Sequence, residues 1–118
     1  MSLHISKKNK PKSIFDRAIY LNFAKYILSC QDSEGGIRWE PNSKLDPWDH
    51  IECCMALDVF GEKERSKLGF QWLVDHQEDD GSWYSEYQDN KSIYSRKESN
   101  FSSYIAIGAL HNLSLIHI

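Results

Sequence analysis

A helix-to-loop phrase is written twice in this chain. The clearer copy reads Trp72-Leu73, three residues, Gln77, three residues, then Gly81-Ser82-Trp83. The weaker copy reads Tyr26-Ile27, three residues, Gln31, three residues, then Gly35-Gly36-Ile37. Gln31 and Gln77 stand 46 residues apart, and the aromatic, aliphatic, Gln and Gly positions all keep that offset. Self-similarity at this period is the signature of stacked helical hairpins, whose units cannot bury their apolar faces alone. It constrains the architecture strongly and the chemistry weakly.

Four helices are expected around the two phrases. The first follows Ser13 as N-cap, with Asp16 three residues on and one apolar stripe of Phe15, Ile19, Phe23, Tyr26, Ile27 and Cys30. The second starts at Asp46 as N-cap, with Pro47 in the first helical position, Asp49 complementing the helix dipole, and Gly61 as terminator. Between those ends it is apolar almost all the way round, so burial on more than one side is expected. The third, from about Glu62 to His76, is amphipathic with Leu68, Gly69, Trp72 and Leu73 facing inward. The fourth begins near Ser99-Asn100 and is small and apolar through Leu110, which again predicts burial on several sides. Trp48 to Phe101 and Leu57 to Leu110 share an offset of 53, so the second and fourth helices are one repeated element. The seven extra residues fall between Trp83 and Ser99, as a loop insertion. Amphipathic and buried helices alternate, as in a double ring whose inner helices line a central space.

Composition narrows the function classes. A net charge of −3 gives no electrostatic case for nucleic acid or an acidic membrane. No stretch approaches the roughly 20 apolar residues of a membrane span. Lys7, Lys8, Lys10 and Lys12 place a basic, solvated tail at 1–12, with no apolar segment after it to make a targeting signal. Cys30, Cys53 and Cys54 are odd in number, and two are adjacent, which does not suit an ordinary bridge. They read as reduced, core-filling thiols of a cytoplasmic protein.

The phrase from Trp72 to Trp83 resembles the QW repeat of the prenyltransferase and squalene-cyclase superfamily, whose fold is an α/α toroid of about six helical hairpins. Gln77 can hydrogen-bond backbone at the end of an outer helix and at the start of the next inner one. Trp83 can stack over that junction, and Gly81 permits the close turn. From Leu45 to Asn112 the phrases Asp46-Pro47-Trp48-Asp49-His50-Ile51-Glu52, Gln77 to Trp83, and Asn100-Phe101-x2-Tyr104 are similar to bacterial prenyltransferase-like proteins of undefined activity. The resemblance implies an all-α fold, with residues 13–112 forming about two of six hairpins of an incomplete toroid. Its structural positions here are Gln31, Gly35, Trp72, Gln77, Gly81 and Trp83.

The last six residues, Leu113-Ser114-Leu115-Ile116-His117-Ile118, are what CTGTCTCTTATACACATC encodes, a transposon end used to fragment DNA for sequencing. Residues 113–118 are therefore read as a non-native tail, the alternative being an ordinary apolar continuation of the helix. On the first reading the chain is a fragment that lacks the remaining hairpins and is inactive by itself. On the second it is a two-hairpin protein that must oligomerise to cover its inner helices.

In such a ring the N-terminal ends of inner helices face the cavity mouth. Asp46, Asp49, His50 and Glu52 stand at one such end, and Asn100 and Tyr104 at the next. Asp49, His50 and Glu52 are the catalytic candidates, because charges on an otherwise apolar helix need a reason to be there. Asp46 is better explained as a cap, and His50 could equally be a satisfied buried histidine. Trp48, Asn100 and Tyr104 are the ligand-binding candidates, with Trp39 and Phe101 as further cavity aromatics. No cofactor is assigned. Zinc is not expected, because the Asp-x-Cys pair of protein prenyltransferases is missing. The Asp-x-Asp-Asp motif of the cyclases is missing too, and Glu78-Asp79-Asp80 is a lookalike better explained by turn chemistry. Three functions follow: a transferase- or cyclase-like protein holding an apolar or isoprenoid-like ligand, a glycosidase-like protein holding a sugar, or a non-catalytic helical scaffold.

Overall fold

The computed structural model describes residues 16–116, with side chains described from 16 to 112. Among these residues the fold is all-α, with α1 at Arg17–Cys30, α2 at Pro47–Val59, α3 at Lys63–His76 and α4 at Ser99–Ile116. The expected tail at 1–12, Ser13, Phe15 and His117-Ile118 lie outside the described residues, as do the side chains of 113–116. No described helix is long and apolar enough to cross a membrane. The bounds of α1 and α3 differ by 46 residues at both ends, so the repeat in the sequence is a repeat in the backbone.

The start of α2 follows its local chemistry. Asp46 Oδ1 accepts the Asp49 N–H at 2.8 Å, and Pro47 occupies the first turn, where its missing N–H costs nothing. At the other end Gly61 takes φ +89, and two bonds close the helix, Glu62 N–H to Leu57 O at 2.9 Å and Gly61 N–H to Asp58 O at 3.1 Å. For α1 the observed cap is Asp16, whose carboxylate takes the Ala18 N–H at 2.9 Å.

The two Gln-Gly loops share one set of hydrogen bonds. Asp32 N–H reaches Gly36 O and Glu78 N–H reaches Ser82 O, both at 2.9 Å. Gln31 Nε2 donates to Gly35 O at 3.1 Å, and Gln77 Nε2 to Gly81 O at 3.0 Å. Gly35 and Gly81 sit at φ +101 and +86, where a Cβ would be strained. Gln77 bonds within its own loop and does not show the expected bond to the start of the next inner helix. Gln31 instead crosses to α3, donating to Arg65 O at 2.9 Å and accepting from Arg65 Nε at 2.5 Å. The Trp83 indole N–H caps Leu73 O of α3 at 2.8 Å.

Helix α2 is the centre of the molecule and packs on α1, α3 and α4. Two glycines let its neighbours approach: a Cβ on Gly69 of α3 would lie 2.4 Å from Cys54 Sγ, and one on Gly108 of α4 would lie 2.4 Å from Ile51 Cγ1. Ile51, Cys54 and Leu57 are fully buried, together with Trp72 from α3.

Two expectations about burial fail. In the α1 stripe Cys30 is buried, but Phe23 and Tyr26 are each 43% exposed. In α4, Phe101 and Ile105 are buried while Ile107 and Leu110 are 56% and 65% exposed. The pattern identifies faces that favour a partner, and no described element covers these two.

The insertion between Trp83 and Ser99 is more than a loop. Tyr87–Gln88 (β1) and Lys91–Ser92 (β2) pair antiparallel across Asp89-Asn90, both at positive φ (51° and 63°), as in the two-residue turns that match strand twist. The ribbon folds back on the repeat: Tyr87 bridges Leu45, and Asn90 Oδ1 accepts the N–H of the buried Trp72 indole at 2.8 Å.

Candidate functional site

The capped start of α2 places Trp48, Asp49 and Glu52 beside two cavities. The first, about 700 Å³, is lined by Asp46, Trp48, Asp49 and Phe101 on one side and by the insertion on the other, through Glu86, Tyr94, Arg96 and Glu98. The second, about 390 Å³, lies between α1 and α2 and is lined by Tyr26, Arg38, Trp39, Asp49, Glu52 and Cys53 among others. Asp49 lines both.

That position sets its acidity. Partial desolvation first, and then the carboxylate of Asp46, raise the Asp49 carboxyl to about 6. Glu52 adds a further negative charge that acts in the same direction. Asp49 is therefore half protonated near pH 6, far above an ordinary carboxyl, which suits a group that both gives and takes a proton. Asp46 is committed elsewhere: besides its cap bond, its Oδ2 accepts the Trp39 indole N–H at 2.8 Å. Glu52 Oε1 accepts the Trp48 indole N–H at 2.8 Å. The Trp48 ring stacks on Tyr104 at 4.5 Å and meets Phe101 edge-on at 6.1 Å, so α4 fixes its orientation.

His50 sits behind this surface and is completely buried. Its Nδ1 accepts the Ile37 N–H at 3.0 Å, which leaves the proton on Nε2, and Nε2 donates to Gly69 O at 2.8 Å. Burial lowers its pKa to about 4. Both nitrogens of a neutral ring thus join the first Gln-Gly loop, α2 and α3. Cys54 Sγ lies 3.5 Å from Nε2, and burial pushes the Cys54 thiol well up and the Cys53 thiol to about 11. All three cysteines are free, and the raised thiols of Cys53 and Cys54 are poor nucleophiles.

Among the sequence candidates, Trp48, Asp49 and Glu52 come together at the cavities and His50 lies beneath them. Asn100 and Tyr104 line neither cavity, Tyr104 acting as the support of Trp48. Asp80 belongs to its turn: Ser82 N–H and Oγ and then Lys97 Nζ hold its carboxylate down at about 2. No three of the described His, Cys, Asp and Glu residues are arranged to hold a metal. The wall formed by Glu86, Tyr94, Arg96 and Glu98 was not anticipated. Asp89-Asn90, between Tyr87-Gln88 and Lys91-Ser92, was the signal for a hairpin that would bring it back to α2.

No protein-family model matches the chain. Over 90 residues it is 34% identical to a protein of Mycolicibacterium hassiacum named MMP endo-(1,4)-3-O-methyl-alpha-D-mannosidase. The match takes in 76% of this chain and 25% of that protein, so the chain spans about a quarter of the length of the curated relative it matches. The similarity is to a protein named for glycoside cleavage, and it favours the carbohydrate reading of the sequence over the isoprenoid one.

Proposed function

We propose that the chain forms part of a glycosidase-type saccharide cleft, with Asp49 as its proton donor. The meeting of two cavities at a carboxyl raised to about 6 carries this reading. Hydrolysis of a glycosidic bond needs one carboxylic acid, kept protonated by its surroundings, to protonate the leaving oxygen. A second carboxylate activates water or attacks the sugar. Asp49 has the surroundings of the first. Asp46 holds the cap, Glu52 accepts the Trp48 indole N–H, Glu86 pairs with Lys44 and Glu98 with Arg96, so we place the second carboxylate outside the described residues.

The lining suits a sugar better than an isoprenoid. Trp48, Tyr94 and Phe101 offer apolar faces, while Glu86, Arg96 and Glu98 offer hydrogen-bonding groups for hydroxyls. The name of the relative suggests an α-1,4-linked 3-O-methylmannoside, whose methyl groups add apolar surface for those rings. His50 acts as a positioning residue that holds α2 against the loop at Ile37. The toroid is the architecture we infer for the whole protein, with residues 13–112 as two of its hairpins.

Calorimetric titration with a 3-O-methylmannose oligosaccharide, and separately with an isoprenoid diphosphate, tests this. The saccharide is expected to bind, with affinity reduced by about tenfold or more in Trp48→Ala, a loss of at least about 1.4 kcal/mol. Binding should vary with pH around 6, and Asp49→Asn should abolish that variation. Binding of the isoprenoid alone, or of neither ligand, overturns the proposal.

A further inference from the structure

Ser85 lines the larger cavity, is 6% exposed, and has no part in the proton transfer assigned to Asp49. Its backbone is pinned: its N–H donates to Arg96 O at 2.9 Å, and its neighbour Tyr84 bridges Lys97. Its hydroxyl has no hydrogen-bond partner among the described residues. Nor is the oxygen sealed in, since the enclosed side-chain atoms without a partner among those residues are Asp58 Oδ2 and His111 Nε2. The small surface that Ser85 keeps thus includes its oxygen, and the cavity is what that oxygen opens to. A buried hydroxyl ordinarily finds its partner inside the protein, so one left open toward a cavity is fitted to something that enters it. The repeat marks the position as a departure. Counting back 46 residues from Ser85 leads to Trp39. Both residues close their loops by a backbone N–H bond at 2.9 Å, Trp39 to Lys44 O and Ser85 to Arg96 O. In the first loop the side chain is engaged within the protein, its indole N–H reaching Asp46 Oδ2 at 2.8 Å. In the second a small side chain replaces the bulky ring, and its hydroxyl stays open to the cavity.

We propose, resting on the saccharide reading above, that Ser85 is a specificity-determining residue that hydrogen-bonds one exocyclic oxygen of the sugar, a hydroxyl or the methoxyl. A serine hydroxyl both donates and accepts, so it serves either kind of oxygen. The rest of the lining favours a neutral partner: the carboxylates of Asp46, Asp49, Glu86 and Glu98 outweigh the Arg96 guanidinium and repel an anion. Trp48 and Phe101 supply the apolar surface of the same cavity, and a hydroxyl at a fixed place beside them adds the direction that apolar contact lacks. With its backbone pinned and a single short side chain to order, Ser85 gives up little freedom when the sugar binds. A sugar without the matching oxygen leaves the Ser85 hydroxyl unpaired in the occupied cavity, and that loss is the basis of discrimination.

Calorimetric titration of the chain with a 3-O-methylmannose oligosaccharide, and with analogues lacking the oxygen on sugar carbon 2, 3 or 6, tests this. Ser85→Ala is expected to leave urea unfolding unchanged, because the hydroxyl holds nothing within the protein. It should weaken the oligosaccharide by about three- to tenfold. One analogue should bind the wild type more weakly by a similar factor and show no further loss in Ser85→Ala, since the partner of the hydroxyl is already gone. If the wild type binds the oligosaccharide and Ser85→Ala binds it equally well, this inference falls and the saccharide reading stands. The same holds if Ser85→Ala weakens every analogue as much as it weakens the parent. A wild type that binds no saccharide overturns both.

Discussion

The first Gln-Gly loop lies under a helix and the second lies open, although the two turns share their backbone bonds and their glycine conformations. Gln31 is buried and holds three groups, Gly35 O, Arg65 O and Arg65 Nε. Gln77 is exposed and holds one, Gly81 O. A turn of this kind is thus specified within its own half-dozen residues, while its energetic weight depends on what packs over it. The same sequence signal marks a stabilising junction in one place and an unfilled seat in the other.

Alanine at the two glycines should separate these roles most sharply. Gly35→Ala forces a Cβ to within 2.3 Å of Leu68 O, a backbone atom, so α3 must lift from the loop. A cost of about 3 kcal/mol or more is expected from overpacking and strain together. Gly81→Ala meets nothing nearer than Gln77 Nε2 at 3.9 Å, leaving only the backbone strain, about 1 kcal/mol. Urea unfolding of the two variants measures the difference, and equal losses would mean that α3 does not bear on the first loop.

Acid should then open the covered junction first. His50 has a folded pKa of about 4 against 6.5 unfolded. Its folded state takes fewer protons, so its stabilisation is complete above 6.5 and falls as pH drops toward 4. The loss by pH 4 is about 3 kcal/mol. Asp49 has the opposite sign: its raised pKa makes ionisation unfavourable, so stability lost between pH 3.8 and 6 on the way up is regained on the way down. Asp49 is exposed and His50 fully buried, so His50 dominates. A protonated Nδ1 can no longer accept from Ile37, and the Ile37 amide should lose hydrogen-exchange protection as pH falls toward 4. The second repeat carries Ser103 at the matching position and gains no such sensitivity. Protection at Ile37 that is flat with pH would remove His50 from the junction.

What could be read from the sequence follows the range of the interactions involved. Asp46-Pro47 and Gly61 mark the ends of α2 because capping acts over three or four residues. The repeat was visible because its turns are local. Phe23 and Ile107 are exposed although they lie on apolar stripes, because a stripe states a preference for cover and only the arrangement of distant segments decides whether cover arrives. At the site, Trp48, Asp49 and Glu52 stood out as polar or amphipathic groups on an apolar helix. The same signal singled out His50, and sequence alone could not tell that Ile37 and Gly69 had taken both nitrogens. The wall from Glu86 to Glu98 depends on a ribbon whose strands are two residues long, too short for alternation to register.

The mildest contrast lies in the glutamines themselves. Gln31→Ala leaves Gly35 O, Arg65 O and the Arg65 guanidinium without their partner inside a covered junction, where lost hydrogen bonds are not replaced by water. About 2 to 3 kcal/mol should be lost. Gln77→Ala releases a single carbonyl to solvent and should cost less than about 1 kcal/mol. Urea unfolding of the two variants reads the difference. Equal losses would show that the cover α3 gives the first glutamine adds nothing to what its own turn supplies, and that the open and covered junctions weigh the same.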